Sequence, residues 1–600
     1  MKNSLQSYYQ GLLTETNNGI TALKSKINIY SILRLMLFII SIAGLFFTIN
    51  YSTGLSVGFV MVMLFLFLCL VRKHSLLQQK LTHKQHCATL LQNEINLTYG
   101  QQNIYSNGAD FMDGTHPYTS DLDIFGENSL FAYLNRAITH DGKKIIAQWL
   151  QQPETEITIA ERGNALLELN TYQAENLTFR AYMFSLKADD LNTLKTNIET
   201  HLSALTAFAK AKKIKYIVIG LPLLTFALLG AAIVLDGVLW SVFTLQLLVN
   251  FTAYNFLVKP INSVHHLVSK TNATLKTVAH LIKNIETTQW QTPYIQQIVS
   301  PLINPSGQKA YQQIFTLAKI VTQLDYRNNL LVGIVLNLFF CWDLRVIIRL
   351  QQWQQTCSPS LIKSLNLLSH FESLISLATL NYNHPDWTRP VIASDFCFEA
   401  SEMAHPLIAD DKKVGNNFRF ATAPSVDIIT GSNMAGKSTF LRTLGINLVL
   451  AYAGANVCAK HFKTSVFTLA SYMRIIDSLD AETSTFKAEI NRLKMILQLT
   501  QSHPNTLVLI DEMLRGTNSK DKYEGSKALV LKLIAQHTPT LFATHDLHIA
   551  ELQKQHPIQV RNFNFDVKIE GDKMFFDYKI KTGECKTFNA AVLLRAIGLG

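Results

Sequence analysis

Four nearly uninterrupted apolar runs constrain this chain more than any other feature. Leu35 to Ile49 and Leu55 to Val71 are separated by Asn50-Tyr-Ser-Thr-Gly54, and Tyr216 to Leu235 and Val238 to Val258 only by Asp236-Gly237. A helix needs roughly 20 apolar residues to cross a bilayer. The first run reaches that length if Ile29 to Leu33 extend it and Arg34 snorkels towards the headgroups. The segment MVMLFLFLCLV (Met61 to Val71) has no polar face, unlike a surface helix of a soluble protein. Lys24, Lys26 and Arg34 precede the first pair and Arg72 and Lys73 follow it; Lys210, Lys212, Lys213 and Lys215 precede the second and Lys259 follows. Cations on both flanks of each pair predict two transmembrane hairpins, four lipid-contacting helices in all, with both termini cytoplasmic. The first apolar run starts late and a second follows at once, so no cleavable leader is expected. A further apolar stretch, Leu330 to Trp342, is too short to span and contains Asn337; it reads as a buried core helix.

The 600 residues leave room for several domains. Between the apolar runs and up to about Leu380, apolar residues recur at helical spacing, as in Val264, Leu267, Val268, Leu275 and Val278. The formal charge of +11 suits an anionic partner, nucleic acid or a phospholipid surface, and composition does not separate the two. Seven scattered cysteines without a CxxC pair read as reduced thiols, with no zinc site.

Chemistry concentrates in the C-terminal third. The apolar Val426, Ile428 and Ile429 lead into a loop of Gly431, Ser432, Asn433, Met434, Ala435, Gly436, Lys437, Ser438 and Thr439, and an amphipathic helix follows with Phe440, Leu441, Leu444 and Leu448 on one face. Strand, glycine-bounded loop and helix form the context in which backbone N–H groups and a helix N-terminus cradle phosphates. Lys437 is placed to reach the β- and γ-phosphates and Ser438 to ligate Mg²⁺. A second apolar run, Thr506 to Ile510, ends in Asp511-Glu512. Two carboxylates at the end of a buried strand need a positive partner, which a magnesium nucleotide supplies: Asp511 for the metal, Glu512 to orient and polarise the attacking water.

These residues carry a family resemblance. GSNMAGKST (Gly431 to Thr439) is similar to the GPNMGGKST of the MutS mismatch-repair ATPases, with Ser432 for proline and Ala435 for glycine. IDEMLRGTNS (Ile510 to Ser519) resembles the family's LDEIGRGTS, Ser484-Thr485-Phe486-Lys-Ala-Glu489 its STFxxE loop, and Phe542-Ala-Thr-His545 its switch histidine. Asp121 to Pro153 resembles the opening of the MutS core domain. The resemblance implies an α/β P-loop ATPase domain of the ABC/MutS type and a mostly α-helical core and lever region, here carrying the two apolar hairpins. The expected division is a lead-in (1–28), hairpin 1 (29–72), a helical linker (73–120), core and lever helices (121–391) interrupted by hairpin 2 (216–258), and the ATPase domain (392–600).

The resemblance also implies ATP with Mg²⁺ as ligands. It implies a head-to-tail homodimer in which Ser484 of one copy covers the γ-phosphate bound by the other, with His545 sensing that phosphate. Ser484 reads equally as the N-cap of the helix that follows, and both roles can hold at once. Tyr578 is expected to stack on the base. Val414 fits the family's other base contact weakly, and His405, before Pro406, reads first as a turn element. DNA, mismatched or branched, is the family's ligand. Against that, the hairpin Tyr216–Val258 stands where the family inserts its DNA clamp. The chain also shows no segment resembling the mismatch-reading or connector domains, or the helix-turn-helix tail. An ATP-driven mechanical device of the membrane is therefore the alternative to a DNA-binding ATPase, and a tether with a relict nucleotide site a weaker third.

Overall fold

The computed structural model describes residues 2–186, 188–302, 307–421, 423–432, 434–473, 485–514, 518–570 and 573–585. It is mostly helical, with mixed α/β sheets confined to the C-terminal part. Among the described residues, four helices are long and apolar enough to cross a membrane.

The first two are single helices of 47 and 46 residues, Lys2–Thr48 and Thr53–Thr98. Each runs without a break from its apolar run into a polar stalk, so the residue pairs 28/29 and 72/73 lie inside continuous helix. The stalk packs through Ile27 against Leu77 and Leu81, and through Tyr9 against Leu91 and Ile95. It is fastened to the core by Glu94, buried to 1% exposure, which receives hydrogen bonds from Arg136 at 2.8 and 2.9 Å and from Arg180 at 2.6 Å. The second pair, Lys212–Leu235 and Val238–Val268, turns at Asp236 and Gly237, both with positive φ.

A helix of 42 residues, Trp342–Asn383, is the backbone of the core. Along it Glu372 accepts the Ile138 and Thr139 amides, and Thr139 caps the helix His140–Gln151 through a hydrogen bond from the Gly142 amide to its hydroxyl. Thr139 binds Glu372 as well, so one buried carboxyl fixes a helix start.

Leu330–Phe340, expected to be a buried core helix, is not buried. Leu330 and Leu331 are 73% and 76% exposed, Val332, Ile334 and Val335 are exposed too, and Gly333 and Asn337 are the buried positions. A short apolar run carries no signal separating a core helix from one facing lipid. The structure answers by packing only its Gly333/Asn337 stripe.

Ten strands follow: β1 (Val391–Ala393), β2 (Phe398–Met403), β3 (Asn416–Arg419), β4 (Val426–Gly431), β5 (His461–Ser465), β6 (Thr468–Tyr472), β7 (Thr506–Asp511), β8 (Thr540–Ala543), β9 (Val560–Glu570) and β10 (Lys573–Thr582). A four-stranded sheet has the order β1-β5-β2-β3, and a six-stranded one β10-β9-β4-β8-β7-β6. In the larger sheet β9, β4, β8, β7 and β6 are parallel. Their apolar residues divide between two faces: Val426, Ile428, Val508 and Ile510 lie on one, Ile429, Leu507 and Leu509 on the other. That doubly covered arrangement is why the strands read as continuous apolar runs.

Candidate functional site

The strand register brings the sequence motifs together. Ile429 of β4 and Asp511 of β7 both pair with Ala543 of β8, so the three strands end side by side. Beyond those ends lie the glycine-bounded loop, Glu512 and His545, at the carboxyl edge where open α/β sheets bind ligands. The resulting cleft, of about 440 Å³, is lined by Lys437, Ser438, Asp511, Glu512, His545 and Tyr578 among others.

Two glycines make the loop possible. Gly431 has φ +148°, and a Cβ there would stand 2.7 Å from the Phe565 carbonyl oxygen. Gly436, φ +108°, caps the helix Lys437–Tyr452, and a Cβ there would press on the Tyr578 ring at 3.2 Å. Only glycine takes these backbone angles without strain. Met434, at φ +68°, projects into solvent, while Ala435 is buried behind the loop. The Ser432 hydroxyl is buried and has no hydrogen-bond partner among the described residues. Ser438 and Thr439 line the cleft at the first turn of the helix.

Lys437 donates to the Gly431 and Ser432 carbonyls at 2.8 and 3.0 Å, and its ammonium lies 3.3 and 3.4 Å from the two imidazole nitrogens of His545. Burial pushes its pKa down to about 8, with Asp511 pulling the other way. The His545 Nδ1 sits 2.7 Å from the Gly431 carbonyl, so it carries hydrogen and donates. Its Nε2 contacts Glu512 Oε1. Burial first, then the Lys437 charge, lowers the imidazole pKa.

Glu512 itself has φ +51°, with its amide donating to the Ala543 carbonyl at 3.1 Å. A non-glycine residue in that region is strained, and such strain concentrates at functional positions.

Beside the cleft lies a second cavity of about 470 Å³, lined by His405, Val414, Asn416, Phe565 and Tyr578. Tyr578, at φ +53°, stacks on Phe576, and its carbonyl accepts from the Asn416 side chain at 3.0 Å. His405 does form a turn: its Nδ1 accepts the Leu407 amide and its carbonyl the Ile408 amide. Burial lowers its pKa to about 4, so it is neutral. Asn433, Ser484 and the final segment from Phe588 lie outside the described residues.

What no local sequence pattern announces is how the helices beside the cleft are held. Asp121 Oδ2 accepts from Ser471 Oγ at 2.7 Å and pairs with Arg492, whose guanidinium also binds the Ser471, His116 and Pro117 carbonyls. Arg492 stands one turn after the buried Glu489, in the helix Thr485–Ser502. Asp123 pairs with Arg442 at 2.8 Å, and Leu122 packs so close to Gly445 that a Cβ there would meet it at 2.8 Å. Asp121-Leu-Asp123 is thus wedged between the helix after the loop and the Thr485–Ser502 helix. Those partners lie more than 300 residues away, a distance no local pattern spans.

The family model described as MutS domain V matches residues 427–594. The chain is 34% identical over 224 residues to the DNA mismatch repair protein MutS of Thermotoga sp. (strain RQ2), covering 36% of this chain and 28% of that one. It is 30% identical over 235 residues to the protein of that name from Desulforapulum autotrophicum (38% and 26%), and 32% over 225 residues to that of Methanococcoides burtonii (36% and 25%). The match thus spans about a quarter of the length of these relatives.

Proposed function

Because the C-terminal part of this chain belongs to the MutS family, we propose that the protein is a membrane-anchored ATPase that binds and hydrolyses ATP in a head-to-tail homodimer. The observation that carries this is the meeting of Lys437, Asp511, Glu512 and His545 in one cleft at the ends of three adjacent parallel strands. The donor set fits the ligand, with an ammonium, a helix N-terminus, an unpartnered Ser432 hydroxyl and a carboxylate pair arranged around a glycine-bounded loop.

In this reading the loop amides and Lys437 hold the β- and γ-phosphates, the ammonium leaving the Gly431 and Ser432 carbonyls for phosphate oxygens. Ser438 and Asp511 hold Mg²⁺, which supplies charge neutralisation on the phosphates. Glu512 accepts the proton of the attacking water, and His545, released from Glu512, reports the presence of the γ-phosphate. Tyr578 and Val414 border the base. Ser484 of the partner subunit closes the pocket. The division into hairpin 1 (29–72), hairpin 2 (216–258), core (121–391) and ATPase domain (392–600) belongs to the same proposal, with the ATPase domain and both termini on the cytoplasmic side.

DNA is the ligand that the names of the relatives suggest. A second reading, an ATP-driven membrane device that does not act on DNA, draws support from the helices that run unbroken from the apolar pairs into the stalk and core. Glu512→Gln in the purified full-length protein is expected to bind ATP, stay dimeric and lose turnover by at least about 10²-fold, the usual contribution of a positioned base. Unchanged turnover removes Glu512 from its role. Binding of branched or mismatched DNA that weakens steeply with salt and responds to ATP favours the DNA reading; intact ATPase with no binding at low salt favours the mechanical one.

A further inference from the structure

We infer that Leu330–Phe340 is a fifth bilayer-inserted element: a half-helix that enters beside hairpin 2, reaches its mid-depth and turns back into the core through Trp342–Asn383, its outer face covered by lipid acyl chains. The inference rests on the membrane reading of hairpin 2 proposed above.

Depth is the first argument. Phe339 and Phe340 lie against Phe226, with ring centroids 6.1 and 5.4 Å apart, and Phe339 against Phe243 at 6.5 Å. Phe226 is near the middle of the run Tyr216–Leu235, so the tip of the half-helix stands halfway along the hairpin. Whatever solvent surrounds the hairpin at that level surrounds the half-helix too. The other contacts descend in order towards the basic flank. Asn250 meets Leu338, Tyr254 meets Asp343, Asn262 meets Arg327 and His265 meets Asp325.

Backbone bookkeeping is the second. Eleven residues make a helix of about 16 Å, half a bilayer, and its last carbonyls point into the middle of it. Unpaired carbonyls are not tolerated there. The Leu338 carbonyl accepts from Asn250 Nδ2 at 2.8 Å and the Asn337 carbonyl from the Cys341 amide at 3.2 Å. Asn250 also donates to Thr225, and Gln246 donates to Asn250, so a polar seam in the hairpin serves the half-helix end. Cys341, at φ +48°, then turns the chain through a 79° bend, and the Asp343 amide is taken by Asn337 Oδ1.

Composition is the third. No ionisable residue lies between Leu330 and Phe340, and the outer positions are Leu330, Leu331, Ile334 and Val335. Where the chain enters and leaves, Tyr326 stacks on Trp342 at 6.1 Å, an aromatic pair of the kind that sits at headgroup level. At the same end Arg327 binds Asn262, Arg345 the Val218 carbonyl and Arg349 the Gln323 side chain.

The test uses the full-length protein in lipid vesicles, with Cys69, Cys357 and Cys397, the cysteines that are not buried, replaced by alanine. A nitroxide is attached in separate variants at Val335→Cys, Ile334→Cys, Val249→Cys in hairpin 2 and Lys309→Cys in the core. Labels at Val335 and Ile334 are expected to be relaxed by oxygen and shielded from a water-soluble nickel chelate, with an oxygen-to-nickel ratio several-fold above that at Lys309 and close to that at Val249. Nickel access at Val335 and Ile334 while Val249 stays shielded overturns the inference and leaves the membrane reading intact. Nickel access at Val249 as well overturns both. Shielding from both reagents shows a protein cover and also overturns it, dipolar broadening then identifying a second copy.

Discussion

The two apolar hairpins are built on different principles. In hairpin 1 the most apolar windows are 0% and 6% buried, and the helices meet through shape: Gly44 is so close to Phe59 that a Cβ would lie 2.3 Å from the ring. In hairpin 2 the windows are 22% and 17% buried, and the joint is polar, made by Thr225, Gln246 and Asn250. Their attachments differ as well. Hairpin 1 is rooted where Trp342–Asn383 ends, with Tyr9 donating to Asn383 and Asn383 to Glu94. Hairpin 2 is rooted at the other end, through Arg327 and Asp343 and through Arg345 on the Val218 carbonyl. A 42-residue helix is about 60 Å long, so the two pairs hold opposite ends of one rod. The sheet-bearing C-terminal part meets it at the first of these ends, where Asn381 accepts the Asn456 amide. The difference teaches that the stalk of hairpin 1 is rooted at the end of the rod beside the candidate site, while hairpin 2 is the pair wired to its far end.

The sharpest way to break this contrast is at Glu94. Glu94→Gln leaves Arg136 and Arg180 buried without their carboxylate, and thermal unfolding in detergent is expected to show a loss of about 3–5 kcal/mol. A loss below about 1 kcal/mol means the stalk is not held by charge.

A second measure is pH. His384, beside the same root, has its Nε2 2.6 Å from the Tyr133 hydroxyl oxygen and stacks on Trp387, and burial lowers its pKa to about 4. The unfolded chain takes up this proton below about 6.5 while the folded one does not until about 4. Stability is therefore fully present above pH 6.5 and lost as pH falls towards 4, by up to about 3 kcal/mol from this residue. His384→Phe is expected to flatten that slope between pH 7 and 5, and an unchanged slope removes the assignment.

Smaller effects separate the hairpins themselves. Gly44→Leu overpacks hairpin 1 and is expected to cost about 1–2 kcal/mol in thermal stability while ATP turnover stays as it was. Asn250→Leu removes the seam and is expected to cost about 1 kcal/mol, the scale of hydrogen bonds between membrane helices. Its signature is a shallower nitroxide at Val335, with labels in hairpin 1 unmoved. Equal responses in both hairpins contradict the contrast.

The loop, strand and helix of the candidate site were legible because their signals are local. A glycine-bounded loop between strand and helix, and carboxylates ending an apolar strand, are written within a few residues of each other. The strain at Glu512 and its contact with His545 were not, since both depend on β8 lying between β4 and β7. The Asp121-Leu-Asp123 wedge escaped for the same reason. Leu330–Phe340 was misread because its apolar side chains are those of a core helix, and only the placement of Asn250 and the phenylalanines distinguishes its setting. The hairpins, by contrast, were visible as runs, and what stayed hidden was the seam inside the second.

The knot of Lys437, His545 and Glu512 has a further meaning for the proposed cycle. Lys437 holds two carbonyls of its own loop and His545 touches Glu512. In the proposed cycle the same three side chains would have to trade these internal partners for phosphate and water, so binding of a triphosphate and freeing of the base would be one event.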